Sequence, residues 1–186
     1  MDVKTELLTI AQELIQKDGI DSFSFRTLAQ KVQIKSSSVH YYFPKKEDLL
    51  VEIVNRYNNE FFKTLDSIKK SEVSAKKKMN KLLKLFEDTK NQNKLCLCGV
   101  FSSATEQLGA LCQSKVNDFF EKLLSWIIGI LNEAQKKNNL LLDIPIKSQA
   151  KILIASFEGA LLVEKSEPKS SYVKSCKDLV SAMIKA

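Results

Sequence analysis

Glycine, proline and histidine are scarce in this sequence, and each scarcity closes off a class of protein. Five glycines and three prolines in 186 residues are too few for a chain of short strands, which needs a turn signal roughly every 8–12 residues. No two of Gly19, Gly99, Gly109, Gly129 and Gly159 lie closer than ten positions, so no glycine cluster can cradle a phosphate. The single histidine, His40, cannot by itself anchor a metal cluster or a catalytic triad. HExxH, GxSxG, P-loop and paired-carboxylate patterns are also missing, so neither an enzyme nor a bound cofactor is expected. Long apolar runs are absent too. Leu123 to Leu131, the most apolar stretch, is about half of what a bilayer span needs. The opening Met-Asp-Val-Lys-Thr-Glu carries acids and no apolar core, unlike a signal peptide. The expectation is a cytoplasmic protein with no membrane partner. Its four cysteines (Cys96, Cys98, Cys112, Cys176) would then be reduced thiols.

What the chain does have is helical periodicity throughout. Lys, Leu, Glu and Gln are abundant helix formers. Val3, Leu7, Ile10, Ala11 and Leu14 make one apolar stripe, with Asp2 as N-cap and Gly19 as the stop. A short helix follows over about 25–31 with Ser24 as N-cap. A third runs over about 36–42 and ends before Pro44, because a residue preceding proline is pushed out of the α region. Six more follow: one through Leu49–Leu65, one through Met79–Phe86, one over about 95–111, one over about 114–137, one through Ile152–Val163, and one after Pro168. The prediction is an all-α fold of nine helices with no strand, divided into residues 1–50 and 51–186.

Charge is unevenly placed. Residues 1–60 hold 8 basic and 9 acidic side chains, whereas residues 61–100 hold 10 and 4. The second excess reads as a solvated helix face. More informative is Ser22 to Lys46, which carries Arg26, Lys31, Lys35, Lys45 and Lys46 and no acid, a pattern suited to a phosphate surface. Two short helices about four residues apart suggest a helix-turn-helix. Leu28, Ala29, Val32, Ile34, Val39 and Tyr42 would close a small core with Leu7, Ala11 and Leu14. That leaves Lys35, Ser36, Ser37, Ser38, His40 and Tyr41 facing outward, able to hydrogen-bond phosphates or base edges. Two cations at the start of the fourth helix, Lys45 and Lys46, oppose its dipole, and a nearby phosphate would explain them.

The run Ser24-Phe25-Arg26-Thr27-Leu28-Ala29, then Ile34-Lys35-Ser36-Ser37-Ser38-Val39-His40-Tyr41-Tyr42-Phe43-Pro44-Lys45-Lys46-Glu47-Asp48-Leu49-Leu50, resembles the DNA-binding end of tetracycline-repressor-like (TetR/AcrR) transcriptional regulators. The resemblance implies a homodimeric repressor of nine helices: three bind operator DNA, and the rest bind an effector and a second subunit. It implies phosphate contacts from Ser24, Arg26, Tyr42 and Lys46, and major-groove reading by Lys35 to His40 and Tyr41. The sequence departs from the family pattern at Gln33, where glycine is usual in the turn, at Lys35 and Ser37, and at His40, where the family has tyrosine. A non-glycine residue in a left-handed turn position costs about 1–2 kcal/mol.

The C-terminal helices are apolar over more than one face. Ala155, Gly159 and Ala160 would let another helix approach closely. By resemblance, the last two helices form a four-helix bundle with their two-fold mates, placing Ala155, Gly159, Leu162, Cys176, Leu179, Val180 and Met183 near the dimer seam. An effector pocket would draw on Phe86, Phe101, Thr105, Leu108, Phe120, Leu124, Trp126 and Phe157, with Glu106 and Glu158 available to a cation. Its ligand would be mainly apolar. Cys96 and Cys98 sit at a helix start, where thiol pKa values fall, so a thiol-sensing repressor is an alternative. Small buried hydrophobes are the plainer reading. Cys-x-Cys spacing fits zinc poorly. A helical adaptor without DNA binding is the alternative of another class, and it leaves the acid-free basic stretch unexplained.

Overall fold

The computed structural model describes residues 2–72 and 74–185. Among them are nine α-helices and no strand: α1 (Val3–Asp18), α2 (Phe25–Val32), α3 (Ser36–Tyr42), α4 (Lys46–Ser71), α5 (Ala75–Asn91), α6 (Leu97–Ser102), α7 (Ala110–Lys136), α8 (Ile146–Ser166) and α9 (Tyr172–Met183). One 3-10 turn, Thr105–Gln107, lies between α6 and α7. The chain forms two compact units. The first comprises the residues up to Glu60 together with Lys94–Phe119. The second comprises Phe61–Asn93 and the residues from Phe120 onward. The division falls within α4 and α7.

In the first unit, Asp2 caps α1 by accepting the Thr5 N–H at 3.0 Å. The helix stops at Gly19, whose φ of 92° suits a residue without a Cβ. Leu7, Ala11 and Ile15 of α1, Leu28 of α2, Val39 of α3, Phe43, and Leu49, Ile53 and Val54 of α4 are all buried. This apolar set holds α2 and α3, eight and seven residues long, which would not be stable alone. Gln16 fastens the end of α1 to residue 95: its Nε2 donates to the Leu95 carbonyl, and the Leu95 N–H donates to the Gln16 carbonyl, both at 2.9 Å.

The predicted helix over 95–111 is broken. Residues 97–102 are helical, and α7 then begins at Ala110, earlier than its periodicity suggests. The side chain of Gln113 explains the break. Its Nε2 donates to the carbonyls of Thr105 and Leu108 at 2.8 and 2.9 Å, acceptors that a continuous helix would have used itself. Cys112 accordingly lies in the first turn of α7.

In the second unit, α5, α8 and α9 pack on one another. Phe86 and Phe157 are buried and meet with ring centroids 5.4 Å apart. Glu164, buried near the end of α8, accepts the Val173 N–H at 2.7 Å and pairs with Lys90 Nζ at 2.9 Å, tying all three helices together. Lys78 reaches Glu133 at 2.6 Å. Residues after α7 and after α9 meet in an isolated antiparallel bridge between Leu140 and Ile184.

Candidate nucleic-acid interface

Local chemistry sets each boundary of the helix-turn-helix. Ser24 and Thr27 form a reciprocal capping box: the Thr27 N–H donates to Ser24 Oγ at 3.2 Å, and the Ser24 N–H donates to Thr27 Oγ1 at 2.9 Å. The far end of α2 closes at Gln33, which is left-handed with φ 59° and ψ 41°. The Ile34 N–H then returns to the Ala29 carbonyl at 3.0 Å, as expected for a left-handed helix stop. The chain leaves the turn extended at Lys35, forms the seven residues of α3, and returns to extended geometry at Phe43, just before Pro44.

The face of α3 is divided sharply. Val39 is buried, with Phe43 beside it in sequence. Lys35, Ser36, Ser37 and His40 are exposed, and Tyr41 is 83% exposed. Ser38 and Tyr42 are half-buried, and the Tyr41 and Tyr42 rings meet edge to face at 5.3 Å. Ser24 and Arg26 are exposed at the start of α2. The two helices meet at the surface where the Phe25 ring touches the His40 ring, with centroids 4.9 Å apart and planes at 71°. Among the described residues, Arg26, Lys35 and Lys45 have no carboxylate partner.

Lys46 lies differently from its neighbour. Its Nζ donates to the Ile20 carbonyl at 3.0 Å, lies 3.7 Å from Asp21 and sits 5.0 Å above the Phe23 ring. It is a strut between α4 and the 20–23 loop. Lys45 is exposed, and its N–H donates to Asp48 Oδ2 at 2.9 Å. The first turn of α4 also carries Glu47 and Asp48, so acids there offset the two lysines. The sequence assigns Lys45 and Lys46 alike to a phosphate and gives no sign of their different settings, nor of Phe25 as the partner of His40. An aromatic at the first position of α2 and a histidine fifteen residues later carry no sequence signal of contact.

The remaining candidates divide between the two units. In the first, Phe101 and Leu108 are buried and Thr105 is exposed on the 3-10 turn. In the second, Phe86 and Phe157 are buried, while Phe120, Leu124 and Trp126 are half-buried. The indole Nε1 of Trp126 is itself buried without a hydrogen-bond partner among the described residues. Cys96 and Cys98 are buried: Tyr57 Oη donates to Cys96 Sγ at 3.6 Å, and Cys98 Sγ donates to Asn58 Oδ1 at 3.7 Å. Burial pushes the Cys112 thiol up to about 11, with the Glu47 carboxylate adding to the effect. On α8, Ala155 and Leu162 are exposed and Gly159 is half-buried. On α9, Leu179 is half-buried, whereas Cys176, Val180 and Met183 are buried inside the single chain.

Residues 7–53 match the family described as bacterial regulatory proteins, tetR family. A TetR transcriptional regulator from Legionella pneumophila is 30% identical, and the superposition covers 100% of this chain and 98% of that one with a TM-score of 0.90. The chain belongs to the TetR family. It is a DNA-binding transcriptional regulator with an N-terminal helix-turn-helix and a C-terminal helical part. The nicotine-responsive transcriptional repressor of Paenarthrobacter nicotinovorans is 21% identical, covering 99% of this chain and 95% of that protein. A transcriptional regulator from Bacillus subtilis in complex with stearoyl-CoA shares the fold at a TM-score of 0.76 and 17% identity, with 97% of each chain covered. No helix among the described residues is long and apolar enough to cross a membrane.

Proposed function

We propose that this TetR-family chain is a homodimeric repressor that reads operator DNA with α3 of each protomer and releases it when a small, mainly apolar ligand binds the C-terminal helices. The observation that carries this reading is the exposed face of α3. Lys35, Ser36, Ser37, His40 and Tyr41 project from a helix whose other side is anchored by Val39. Ser24, Arg26, Ser38, Tyr42 and Lys45 flank that face, while Lys46 acts by holding the start of α4. In this reading residues 1–50 bind DNA and residues 51–186 sense the effector and dimerise.

The dimer surface is the side of α8 carrying Ile152, Ala155, Gly159 and Leu162, all exposed or half-exposed in the single chain. These fall at helical spacing, with small residues at the centre and large aliphatic ones at the ends. With Cys176, Val180 and Met183 buried within the chain, Leu179 is the one of these α9 candidates still part-exposed for the seam. For the effector, Phe86, Phe120, Leu124, Trp126 and Phe157 of the second unit are the residues to test, with the unpaired indole N–H of Trp126 as the polar handle. One relative is named as nicotine-responsive and one solved neighbour is a complex with stearoyl-CoA, molecules that differ greatly in size. They support ligand control while leaving the chemistry to this chain's own side chains. Burial and hydrogen bonding of Cys96 and Cys98 favour ligand control over thiol sensing.

The test is a titration of the purified protein against its own upstream DNA at several salt concentrations. Tight binding that falls steeply with salt is expected, and Tyr42→Ala should weaken it while the melting temperature holds. Leu162→Glu should yield monomers in light scattering and lose operator affinity with them. Salt-independent or absent binding across a full upstream library would overturn the repressor reading.

A further inference from the structure

We propose that Phe25 is a positioning residue for DNA recognition, fixing the orientation of His40 and through it the base preference of this regulator. The inference rests on the reading of α3 as the recognition helix. His40 is exposed, and neither ring nitrogen has a hydrogen-bond partner among the described residues. Among the described residues its one ring contact is the edge-to-face one with Phe25, at 4.9 Å. Phe25 comes from another helix, one residue after the Ser24 cap, and is half-buried. The capping box and the left-handed closure at Gln33 hold that helix at both ends. The imidazole therefore leans on a fixed wall, and its nitrogens remain open to the outside.

That arrangement matters because a neutral imidazole presents one donor and one acceptor on opposite sides of the ring. Rotating the ring exchanges what a base edge meets. An unsupported surface histidine samples several rotamers, and binding must then select one at an entropic cost. An aromatic contact made before binding removes much of that cost and selects one presentation. The neighbouring Lys35, Ser36 and Ser37 have no comparable support, and Tyr41 leans on Tyr42 of its own helix, so His40 is the side chain on this face whose direction is set from α2. Phe25 acts on specificity without having to touch DNA.

The experiment uses the full chain and a randomised duplex pool. Wild type, Phe25→Leu, Phe25→Tyr, His40→Ala and the Phe25→Leu/His40→Ala double variant each select their preferred sites, and affinities are then measured on the wild-type site. Phe25→Leu should lose about threefold to tenfold in affinity, as expected for one aromatic pair, and should broaden the base preference at the position His40 governs. Phe25→Tyr, which keeps the ring, should retain both. In the His40→Ala background, Phe25→Leu should add no further change. Equal loss in both backgrounds, or an unaltered base preference, would show Phe25 acting as a plain structural or direct contact and would overturn the proposal alone. If His40→Ala itself changed nothing while Tyr42→Ala still weakened binding, the proposal would fall with His40, and the recognition helix would stand. A readout independent of DNA comes from the single histidine, whose ring-proton resonances are resolved without assignment. They should be displaced by the Phe25 ring current and return toward free-histidine positions in Phe25→Leu. Resonances already at free positions in the wild type would overturn the proposal whether or not the variant folds.

Discussion

The carboxylate of Glu47 occupies the space that a side chain at Gly109 would need. A methyl group built on Gly109 overlaps the carboxylate carbon and both of its oxygens. Glu47 belongs to the first turn of α4, and Gly109 immediately precedes α7. An anion thus stands at a helix start, where unpaired N–H groups and the helix dipole favour it. Cys112, in the first turn of α7, feels the same carboxylate.

That proximity gives a pH dependence with a definite sign. The Cys112 thiol is raised from an ordinary 9.0 to about 11, chiefly by burial and secondarily by Glu47. Below pH 9 the thiol is protonated in both folded and unfolded chains and exerts no pull. Between pH 9 and 11 the unfolded chain releases the proton more readily, so this contribution to stability is lost as pH rises through that window. Urea denaturation at pH 8, 9, 10 and 11 should show a steeper alkaline loss for wild type than for Cys112→Ala. Parallel curves would rule out the buried thiol as a cause.

Gln33 is held in a backbone region that disfavours a residue with a Cβ. Its left-handed conformation at the end of α2 is one that glycine adopts freely. Gln33→Gly is expected to raise stability by about 0.5–1 kcal/mol, the strain relieved less the entropy glycine loses on folding. Thermal unfolding should move upward by a few degrees, with operator affinity unchanged. A lower melting temperature would mean that the Gln33 side chain makes a compensating interaction.

Lys45 and Lys46 should separate under mutation although they are adjacent. Lys45→Ala is expected to reduce the slope of log affinity against log salt by about one per protomer, as for a lost phosphate contact, with stability intact. Lys46→Ala removes the donor to the Ile20 carbonyl and should lower the melting temperature as well as the affinity. Salt slopes and melting curves on both variants decide the matter. A Lys46→Ala protein as stable as wild type would make Lys46 an ordinary phosphate contact.

Glu164 is expected to be costly to remove from the second unit. Its carboxylate is buried between the Lys90 ammonium and the Val173 N–H. Glu164→Ala leaves a helix start without its acceptor and a part-exposed lysine without its partner, a loss of about 1–3 kcal/mol. Glu164→Gln keeps an acceptor for Val173 and should cost less. Urea midpoints for wild type and the two variants provide the measurement, and a Glu164→Gln midpoint equal to wild type would show the charge to be dispensable.

Much of the fold was legible from short-range chemistry. Asp2, Gly19, Ser24 and Pro44 each mark a helix boundary through a cap, a permissive φ or a steric block, and all act within a few residues of themselves. The break between α6 and α7 was not legible, because it depends on Gln113 reaching back to the Thr105 and Leu108 carbonyls, and periodicity is blind to a single amide. The outward face of α3 could be read from Val39, an apolar position within a run of polar side chains. The division of labour between Lys45 and Lys46 could not, because it depends on the carbonyl of Ile20, twenty-six positions away. On α9, an apolar stripe is compatible with both an inner core and a subunit seam, and only the packed chain shows that Cys176, Val180 and Met183 are already covered.

The brevity of α3 has a consequence for genetics. Seven residues make fewer than two full turns, and a helix of that length does not persist in water unaided. Its order is borrowed from beneath, through Val39 and the adjoining Phe43. A selection for derepressed colonies should therefore return two kinds of allele: substitutions on the outward face, and conservative shrinkages such as Val39→Ala or Leu28→Ala that never approach the operator. The second kind should be temperature-sensitive, silent in the cold and constitutive when warm, and should be suppressed by a stabilising change such as Gln33→Gly. Face alleles would stay constitutive at every temperature.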